Sequence, residues 1–190
     1  MKTYIPLLSA VFAISSFATN NNLNGSFEKC CPDGKGGPQA INWNRNKVVS
    51  QKSQVQLIKD ADCVKSGNFA LLAEVEKGGY LFYRSLEHFS IEPNNTISME
   101  IFVNGSGKYS LQYIVYGADD PKKQVFLCTN GTGRPKNAKE AQFEKHAVKV
   151  TFIPPAKAKG KFTKFTIIPV IVVESDSKIY FDDFDIKITK

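Results

Sequence analysis

Apolar and polar residues alternate along most of the chain beyond residue 45, which is the pattern of β-strands with one buried face. In the segment "TISMEIFV" at 96–103, every second residue is Ile, Met or Val, and most residues between them are polar. Similar segments predict strands at 46–50, 54–59, 68–75, 79–86, 124–128, 147–153, 163–174 and 178–189. The turn sequence "NGSG" at 104–107 predicts that residues 96–117 fold into a β-hairpin.

Turn-forming residues separate the predicted strands, as in "KSGN" at 65–68 and "EPNN" at 92–95. About ten short antiparallel strands at regular spacing are typical of an all-β sandwich. The one helix-compatible stretch, at 136–147, fits a long loop equally well. Because no change of composition and no long linker divides the chain, we expect a single folded domain over residues 19–190.

The first 18 residues have the layout of a secretory signal peptide. Lys2 precedes an apolar run from Tyr4 to Phe17, and the small residues Ser16 and Ala18 fit the positions before a cleavage site. Such a run is too short for a good membrane span, and no later segment is apolar over about 18 residues. The sequence therefore predicts cleavage after residue 18 and a secreted protein without a membrane span, located outside the cell, in a periplasm or at the cell surface.

The net charge is positive, at +7 for the whole chain, and becomes +6 when Lys2 is removed with the signal peptide. A positive balance favours acidic partners such as anionic polysaccharides, nucleic acid or membrane surfaces. Scattered surface lysines produce the same balance, and the most basic stretch, "AKAKGKFTK" at 156–164, is interpreted as a solvated loop. We therefore predict no nucleic-acid partner.

The four cysteines, in an exported chain, make disulfides plausible. The adjacent Cys30 and Cys31 are not expected to bond to each other, because that ring is strained. Either one could pair with Cys63 or Cys128, and the sequence does not choose between these pairings. The short paired spacings of a zinc site are absent, so the cysteines are interpreted as structural.

Few residues are suited to acid–base or nucleophilic chemistry. His88 and His146 are the only histidines, and their contexts indicate exposed or hydrogen-bonded side chains rather than catalysts. No nucleophile elbow, zinc-protease motif or phosphate-binding glycine loop occurs. Two acidic residues facing each other across a cleft would be needed for glycoside hydrolysis, and the sequence leaves such non-local pairs open. We predict that the protein is not an enzyme, and a small polysaccharide-acting hydrolase or lyase is the alternative.

Three segments of the chain resemble carbohydrate-binding modules of the family 4, 9, 16 and 22 group. The opening "NLNGSFEKCCPDGKGGPQAINWNRN", the middle "DADCVKSGNFALLAEV" and the ending "SKIYFDDFDIKI" match in the expected order and together span nearly all of the chain after the signal peptide. The resemblance implies a galactose-binding-like β-sandwich jelly roll. It is much less specific for the ligand.

The same resemblance implies a structural calcium ion where the first and last strands meet. Carried onto this chain, the side-chain ligands are Glu28 and one of Asp182 and Asp183, with a main-chain carbonyl near Asn68. Calcium takes six to eight oxygen ligands in irregular geometry, so such a mixed set suits it. The alternative is a charged strand edge on which Asp183 and Asp185 share an exposed face and meet lysines.

The function that the resemblance implies is non-catalytic binding of a polysaccharide or oligosaccharide. Sugar sites of this kind combine aromatic side chains with a few polar groups. Strand alternation nominates two tyrosines and three polar partners, and the single Trp is added although its family counterpart usually packs in the core: Tyr80, Tyr116, Arg84, Glu100, Gln112 and Trp43.

The alternative function is a structural or adhesive cell-surface domain that has the same fold but no sugar site. Modules of this kind usually accompany a catalytic domain, and this chain has none. A separate secreted enzyme or a cell-surface protein is therefore a possible partner in either case. Exposed aromatic side chains on one face would favour sugar, whereas a flat charged face would favour a protein partner.

Overall fold

The structure, a computed structural model, describes residues 25–31, 39–40, 42–45, 52–120 and 123–190. The regular structure of these residues consists of strands and two short 3₁₀ turns, at Ala61–Cys63 and Ala156–Ala158. The strands are β1 Cys30–Cys31, β2 Gln39–Ala40, β3 Trp43–Arg45, β4 Ser53–Ile58, β5 Ala70–Val75, β6 Leu81–Ser85, β7 Phe89–Ile91, β8 Thr96–Gly117, β9 Val125–Gly131, β10 Lys136–Ala138, β11 Glu144–Thr151, β12 Phe165–Val173 and β13 Ser177–Thr189. The predicted all-β fold is confirmed.

Apart from the short β1–β2 pair, the described strands form one antiparallel sheet that passes through β8 from one layer to another and encloses one core. Hydrogen bonds follow the order β3-β6-β12-β8-β13-β5-β4. The second half of β8, from residue 109, pairs with β12 and, from residue 112, with β9. The first half, over residues 96–106, pairs with β13, and residues 96–103 pair with β11. We call the β3-β6-β12-β8-β9 layer sheet 1 and the β4-β5-β13-β8-β11 layer sheet 2; together they form a jelly-roll sandwich.

The predicted hairpin at 96–117 is wrong, because β8 runs straight through the "NGSG" segment. Gly105 and Gly107 adopt φ angles of 128° and 112°, which side chains on L-residues rarely allow. β13 also passes close by: a Cβ at Gly105 would lie 2.2 Å from the carbonyl oxygen of Lys178, and one at Gly107 would lie 2.0 Å from Ser177 Oγ. The glycines therefore mark the place where β8 leaves sheet 2 and enters sheet 1.

Side chains from both sheets fill the core. Sheet 1 contributes residues such as Leu111, Val115, Ile167 and Ile171, and sheet 2 contributes residues such as Ile97, Met99, Ile101 and Phe181. Each fully buried aliphatic or aromatic side chain of this size stabilises the fold by about 1.5–3 kcal/mol relative to exposure. At one end of the core, the Trp43 ring stacks on Tyr83 at 5.6 Å between centroids and meets the Phe184 ring edge at 5.3 Å.

The central strand β12 is apolar on both faces. Its sequence "FTIIPVIVV" is buried throughout, and Thr166 is its one side chain with a polar atom. Pro169 has no N–H to give to a neighbour, which normally excludes proline from a central strand. On one side of β12, however, β6 ends opposite Val170 and β7 begins opposite Ile167. Pro169 therefore lies where the strand on one side of β12 is interrupted, which is a position that proline tolerates better than the middle of a continuous sheet.

A β-bulge explains how the last strand can contain three aspartates next to side chains of the core. In the pairing with β8, Asp182 lies opposite Phe102 and Asp185 lies opposite Glu100, so β13 has one extra residue between them. Asp183 accommodates it with a φ of 48°. The bulge reverses the alternation, so that Phe181 before it and Phe184 after it both enter the core. Asp183 and Asp185 consequently stay partly exposed, whereas the Asp182 side chain is fully buried.

Other sequence predictions differ in part from the structure. The helix-compatible stretch at 136–147 contains β10 and the start of β11, so no helix forms there. The signal peptide at 1–18 and the strand predicted at 46–50 lie outside the described residues. Among the described residues, no helix has the length and apolar character needed to cross a membrane.

Candidate functional site

The outer side of sheet 1 gathers several of the predicted ligand-binding residues. The strand register places Arg84 of β6, Val170 of β12 and Gln112 of β8 in one row across the sheet. Tyr116 lies beside Thr166 at the far end of the same side. We call this surface the Arg84 face and define it by the six residues Phe82, Arg84, Gln112, Tyr116, Thr166 and Val170.

The centre of the Arg84 face is aliphatic. Ile114, Ile168, Val170 and Val172 are all buried and form a cluster separate from the main core. Phe82 and Tyr116 pack against this cluster from its sides. The face therefore presents aromatic and polar groups around an apolar floor rather than an evenly solvated strand surface.

Aromatic rings lie along the β8–β9 side of the Arg84 face. The Tyr116 ring is 6.1 Å from that of Phe126 on β9 and 5.9 Å from that of His88. Phe126 is 56% exposed, which is unusual for a residue of its size. Lys157 Nζ lies 5.7 Å from the centre of the Phe126 ring. This side of the face can contact a flat apolar group and also offers a positive charge.

Two polar atoms of the Arg84 face are buried without hydrogen-bond partners among the described residues. They are Arg84 Nε and Thr166 Oγ1. An unpaired buried donor or hydroxyl costs about 1–3 kcal/mol, so such atoms are available to a ligand that can pair with them. Burial and the nearby Arg84 charge also lower the pKa of His88, which keeps that ring neutral at physiological pH.

The other predicted ligand-binding residues are placed differently. Tyr80 directly precedes β6 and is 44% exposed. It lies two residues before Phe82 and four before Arg84, so an extended chain puts all three on the same side. Glu100 lies on the first half of β8, in sheet 2, and its carboxylate is 2.7 Å from Lys145 Nζ. Trp43 is 4% exposed and belongs to the core. The structure therefore does not bring Glu100 or Trp43 to the Arg84 face, because β8 changes sheets after Glu100 and the Trp43 ring points inward.

The sequence analysis missed Thr166, Phe82 and Phe126. The signal for Thr166 was present, since it is the single polar side chain in an otherwise apolar strand. The signal for Phe126 was weaker, because an exposed edge-strand position and a core position look alike in a segment such as "VFLC". Strand order, which is not visible in the sequence, decides which of them face a common surface.

The residues predicted to bind calcium meet at the turn before β5, and we call this contact the acidic junction. It consists of Glu28, Asp182, Asp183 and residues 65–69. Glu28 Oε1 accepts hydrogen bonds from the N–H groups of Asn68 at 2.8 Å and Phe69 at 2.9 Å. Its other oxygen accepts from the Asn68 side-chain amide at 3.2 Å. Gly67 suits this turn because its φ is 66°, and a Cβ there would also displace the Glu28 carboxylate, since it would lie 2.4 Å from Oε1.

Asp182 fixes the same turn from the bulge in β13. Its carboxylate accepts from the N–H groups of Lys65 at 2.9 Å, Ser66 at 3.0 Å and Asp183 at 2.8 Å. Asp183 accepts from the Ser66 hydroxyl at 2.8 Å. Asp182 is fully buried, and this burial raises its pKa to about 6 even though the N–H donors act in the opposite direction. The acidic junction thus joins parts of the chain that are far apart in sequence.

The acidic junction offers calcium oxygen ligands from its side chains, whereas the main-chain groups that meet its carboxylates are N–H donors rather than carbonyls. All of its side-chain acceptors are oxygens, the donor atoms that calcium prefers. Within the described ranges, no Lys or Arg forms an ion pair with Glu28, Asp182 or Asp183. The described residues also contain no cluster of three acidic, His or Cys side chains close enough to hold a metal ion. Calcium would therefore need main-chain carbonyl oxygens of the turn beside the carboxylates.

The described cysteines do not form the predicted disulfides. Cys63 and Cys128 both have free thiols. Burial raises the pKa of the Cys128 thiol, so it is less reactive than an exposed cysteine. The side chains of Cys30 and Cys31 lie outside the described residues.

His146 differs from its interpretation as an exposed or hydrogen-bonded residue. It is buried, and neither ring nitrogen has a hydrogen-bond partner in the described part of the chain. Its ring packs against the edge of Tyr109 at 5.3 Å. Burial, with a smaller effect of the Lys136 charge, lowers its pKa to about 4. His146 is therefore a neutral core residue.

We expect His146 to make the fold sensitive to mild acid. As the pH falls from 6.5 towards 4, the unfolded chain binds a proton at this histidine but the folded protein does not. Across this interval, the free energy of unfolding should fall by about 3 kcal/mol more in the original protein than in a His146→Leu variant. Urea unfolding of both proteins at several pH values measures the difference, and a difference that does not change with pH would contradict the buried neutral histidine.

Comparison with known proteins supports the fold. No protein-family model and no curated protein matches the sequence. The structure is similar to the CBM22-1 xylan-binding domain of Xyn10C from Paenibacillus barcinonensis, with a TM-score of 0.51, 12% identity, and coverage of 87% of this chain and 92% of that one.

Two further solved structures contain the same fold in all or part of their length. A family 16 carbohydrate-binding module matches with a TM-score of 0.51 and 12% identity, over 88% of this chain and 99% of that one. The enzymatically active domain of tailspike protein 4 from bacteriophage CBA120 matches with a TM-score of 0.53 and 14% identity, over 90% of this chain but only 21% of that one. The chain therefore has the β-sandwich jelly-roll fold of carbohydrate-binding modules, as the resemblance in its sequence predicted.

Proposed function

We propose that the protein binds an oligosaccharide or polysaccharide on the Arg84 face and does not catalyse a reaction on it. The observation that carries this proposal is the arrangement of Tyr116 and Phe126 beside the row of Arg84 and Gln112. Aromatic rings stack on the apolar faces of sugar rings, and guanidinium and amide groups hydrogen-bond to sugar hydroxyls. The fold is compatible with this role, since one protein of the same fold is a xylan-binding domain.

Binding to a panel of soluble oligosaccharides, measured by isothermal titration calorimetry, tests this proposal. For the best ligand, we expect Phe126→Ala to weaken binding about five- to tenfold, because an exposed stacking ring contributes roughly 1 kcal/mol or more. The matched control is Glu100→Ala, which removes a partly exposed side chain from sheet 2 and should leave affinity unchanged.

Failure to bind any glycan would overturn the proposal. The alternative of an adhesive domain without a sugar site would then be favoured by the exposed apolar residues Val125 and Phe126 of β9, which are 47% and 56% exposed. β9 pairs only with β8 among the described strands, so its other edge is open to a partner protein.

Calcium and secretion belong to this proposal. We infer that a calcium ion stabilises the acidic junction through Glu28, Asp182 or Asp183 and main-chain oxygens near Asn68. The apolar first 18 residues support export to the cell exterior, a periplasm or the cell surface. N-terminal sequencing of the exported protein tests the cleavage after residue 18.

Removal of calcium should destabilise the folded protein. At a calcium concentration about 100 times the dissociation constant, bound metal contributes roughly 2.7 kcal/mol, so a chelator should lower the melting temperature by about 5–10 °C. The Asp185→Ala variant should keep this response, because Asp185 pairs with Lys187 outside the junction. If neither a chelator nor added calcium changes the melting temperature, the N–H donors alone stabilise the acidic junction.

A further inference from the structure

A cavity of about 490 Å³ lies at the far end of the Arg84 face, where β7 and β12 meet the end of β8. The residues that line it include Ser90, Glu92, Gln124, Lys164, Thr166 and Lys190. The register places Thr166 between Tyr116 and Ser90, so the cavity continues the Arg84 face beyond Tyr116. Its volume lies within the range of about 300–1,000 Å³ that is usual for small-molecule sites.

Thr166 gives the cavity a buried polar group that lacks a partner. The residue is 9% exposed, and Oγ1 has no hydrogen-bond partner among the described residues. A threonine in a central strand can normally be replaced by valine, which has the same shape and no hydroxyl to satisfy. An unpaired hydroxyl at this position is therefore better explained by a ligand than by the stability of the strand.

The charge at the cavity is positive. Lys164 and Lys190 line it, and Glu92 is the one acidic side chain among its described lining residues. Glu92 lies 3.9 Å from Lys190 Nζ, whereas Lys164 has no carboxylate within ion-pair distance in the described part of the chain. Asp119 accepts hydrogen bonds from the N–H groups of Thr163 and Lys164 at 2.9 and 2.7 Å, which fixes the main chain at Lys164. These hydrogen bonds and, to a smaller extent, the Lys164 charge lower the pKa of the Asp119 carboxyl, so Asp119 lies near Lys164 without forming an ion pair with it.

We propose that this cavity binds a carboxylate-bearing sugar residue, so that the ligand of the Arg84 face is an acidic, uronate-containing saccharide. Lys164 pairs with the carboxylate, and Thr166 Oγ1 and the Gln124 amide hydrogen-bond to hydroxyls of the same sugar. The guanidinium of Arg84, farther along the face, favours the same charge on a neighbouring sugar residue. This inference rests on the proposed function, because it names the class of saccharide that the face recognises.

The test compares oligogalacturonates and oligomannuronates of four to six residues with the same oligosaccharides after reduction of their carboxyl groups. The reduced forms keep the linkage and length and lose only the charge. We expect at least one acidic form to bind at least tenfold more tightly than its reduced form at low salt, since hydrogen bonds to charged groups are roughly twice as strong as neutral ones.

Two variants and a control locate the binding. Lys164→Ala should remove most of the preference for the acidic form over the reduced form, and the Arg84 guanidinium accounts for the preference that remains. Thr166→Val should weaken binding of both forms about three- to tenfold and, since it removes an unpaired buried hydroxyl, should leave the melting temperature equal or higher. Lys161→Ala, which removes a lysine from the same loop outside the cavity lining, should change neither affinity nor melting temperature.

The outcomes separate this inference from the proposed function. Equal binding of acidic and reduced forms, or binding of neutral glycans alone, would overturn the inference and leave the proposed function standing. Acidic binding that survives both Lys164→Ala and Thr166→Val would place the carboxylate elsewhere and would also overturn it. Failure of every glycan, acidic or neutral, to bind would overturn the inference and the proposed function together.

Discussion

Replacement of Asp182 by alanine should lower the free energy of unfolding by about 3–5 kcal/mol. The substitution removes the acceptor of the N–H groups of Lys65, Ser66 and Asp183, which is the carboxylate of a fully buried side chain. Since a hydrogen bond to a charged group contributes roughly 1.5–3 kcal/mol, the loss of three such bonds exceeds that of an ordinary surface charge. Urea unfolding, followed by the fluorescence of the single Trp, measures the effect.

The matched control is Asp185→Ala, three residues farther along the same strand. Asp185 is partly exposed and forms one ion pair with Lys187 at 3.1 Å, so its loss should cost at most about 0.5–1 kcal/mol. If both variants lose the same small amount, the aspartates of β13 act only as the charged strand edge that the sequence left as an alternative.

Replacement of Trp43 by alanine should also cost about 3–5 kcal/mol, because it empties a large core position. The ring contacts three aromatic neighbours, Phe27 at 5.6 Å, Tyr83 at 5.6 Å and Phe184 at 5.3 Å between centroids. These neighbours belong to different parts of the chain, so the cavity would loosen the contact between β6, β13 and the residues around Phe27. Because this variant lacks the fluorophore, circular dichroism is the measurement.

Trp43→Phe separates a core role from a binding role. The smaller aromatic ring should retain most of the packing, and the affinity for a glycan should stay unchanged because Trp43 does not reach the Arg84 face. If the Trp43→Phe protein folds but has lost its affinity for the glycan, Trp43 has a role in binding as well as in the core.

The alternation of polar and apolar residues was sufficient to predict most strands. The segments predicted at 54–59 and 178–189 correspond to β4 Ser53–Ile58 and β13 Ser177–Thr189, since each has one face in the core and one outside it. The hairpin prediction failed because glycines such as Gly105 and Gly107 are equally compatible with a tight turn and with a bend in a continuous strand. Only the passage of β13 over these glycines distinguishes the two, and that contact joins residues about 70 positions apart.

The alternation of side chains along a strand also predicted part of the candidate site. Gln112 and Tyr116 lie four residues apart in one strand, so alternation alone puts them on one face. Glu100 was misplaced because alternation cannot follow β8 through its change of sheet, and Thr166 was missed because β12 is buried on both sides. The convergence of Glu28, Asp182 and the turn at 65–69 came from the family resemblance and not from any local pattern.

The continuity of β8 has a consequence for the way in which the chain folds. Its two halves are central strands of different layers, so neither layer can be completed while the other is missing its neighbours. The contacts that close the molecule join very distant residues, such as Lys65 and Asp182, which are separated by 117 positions. Such long loops must be closed before their contacts stabilise anything, which places folding in the slow range of about milliseconds to seconds. The sandwich should accordingly form in one late, cooperative step rather than layer by layer.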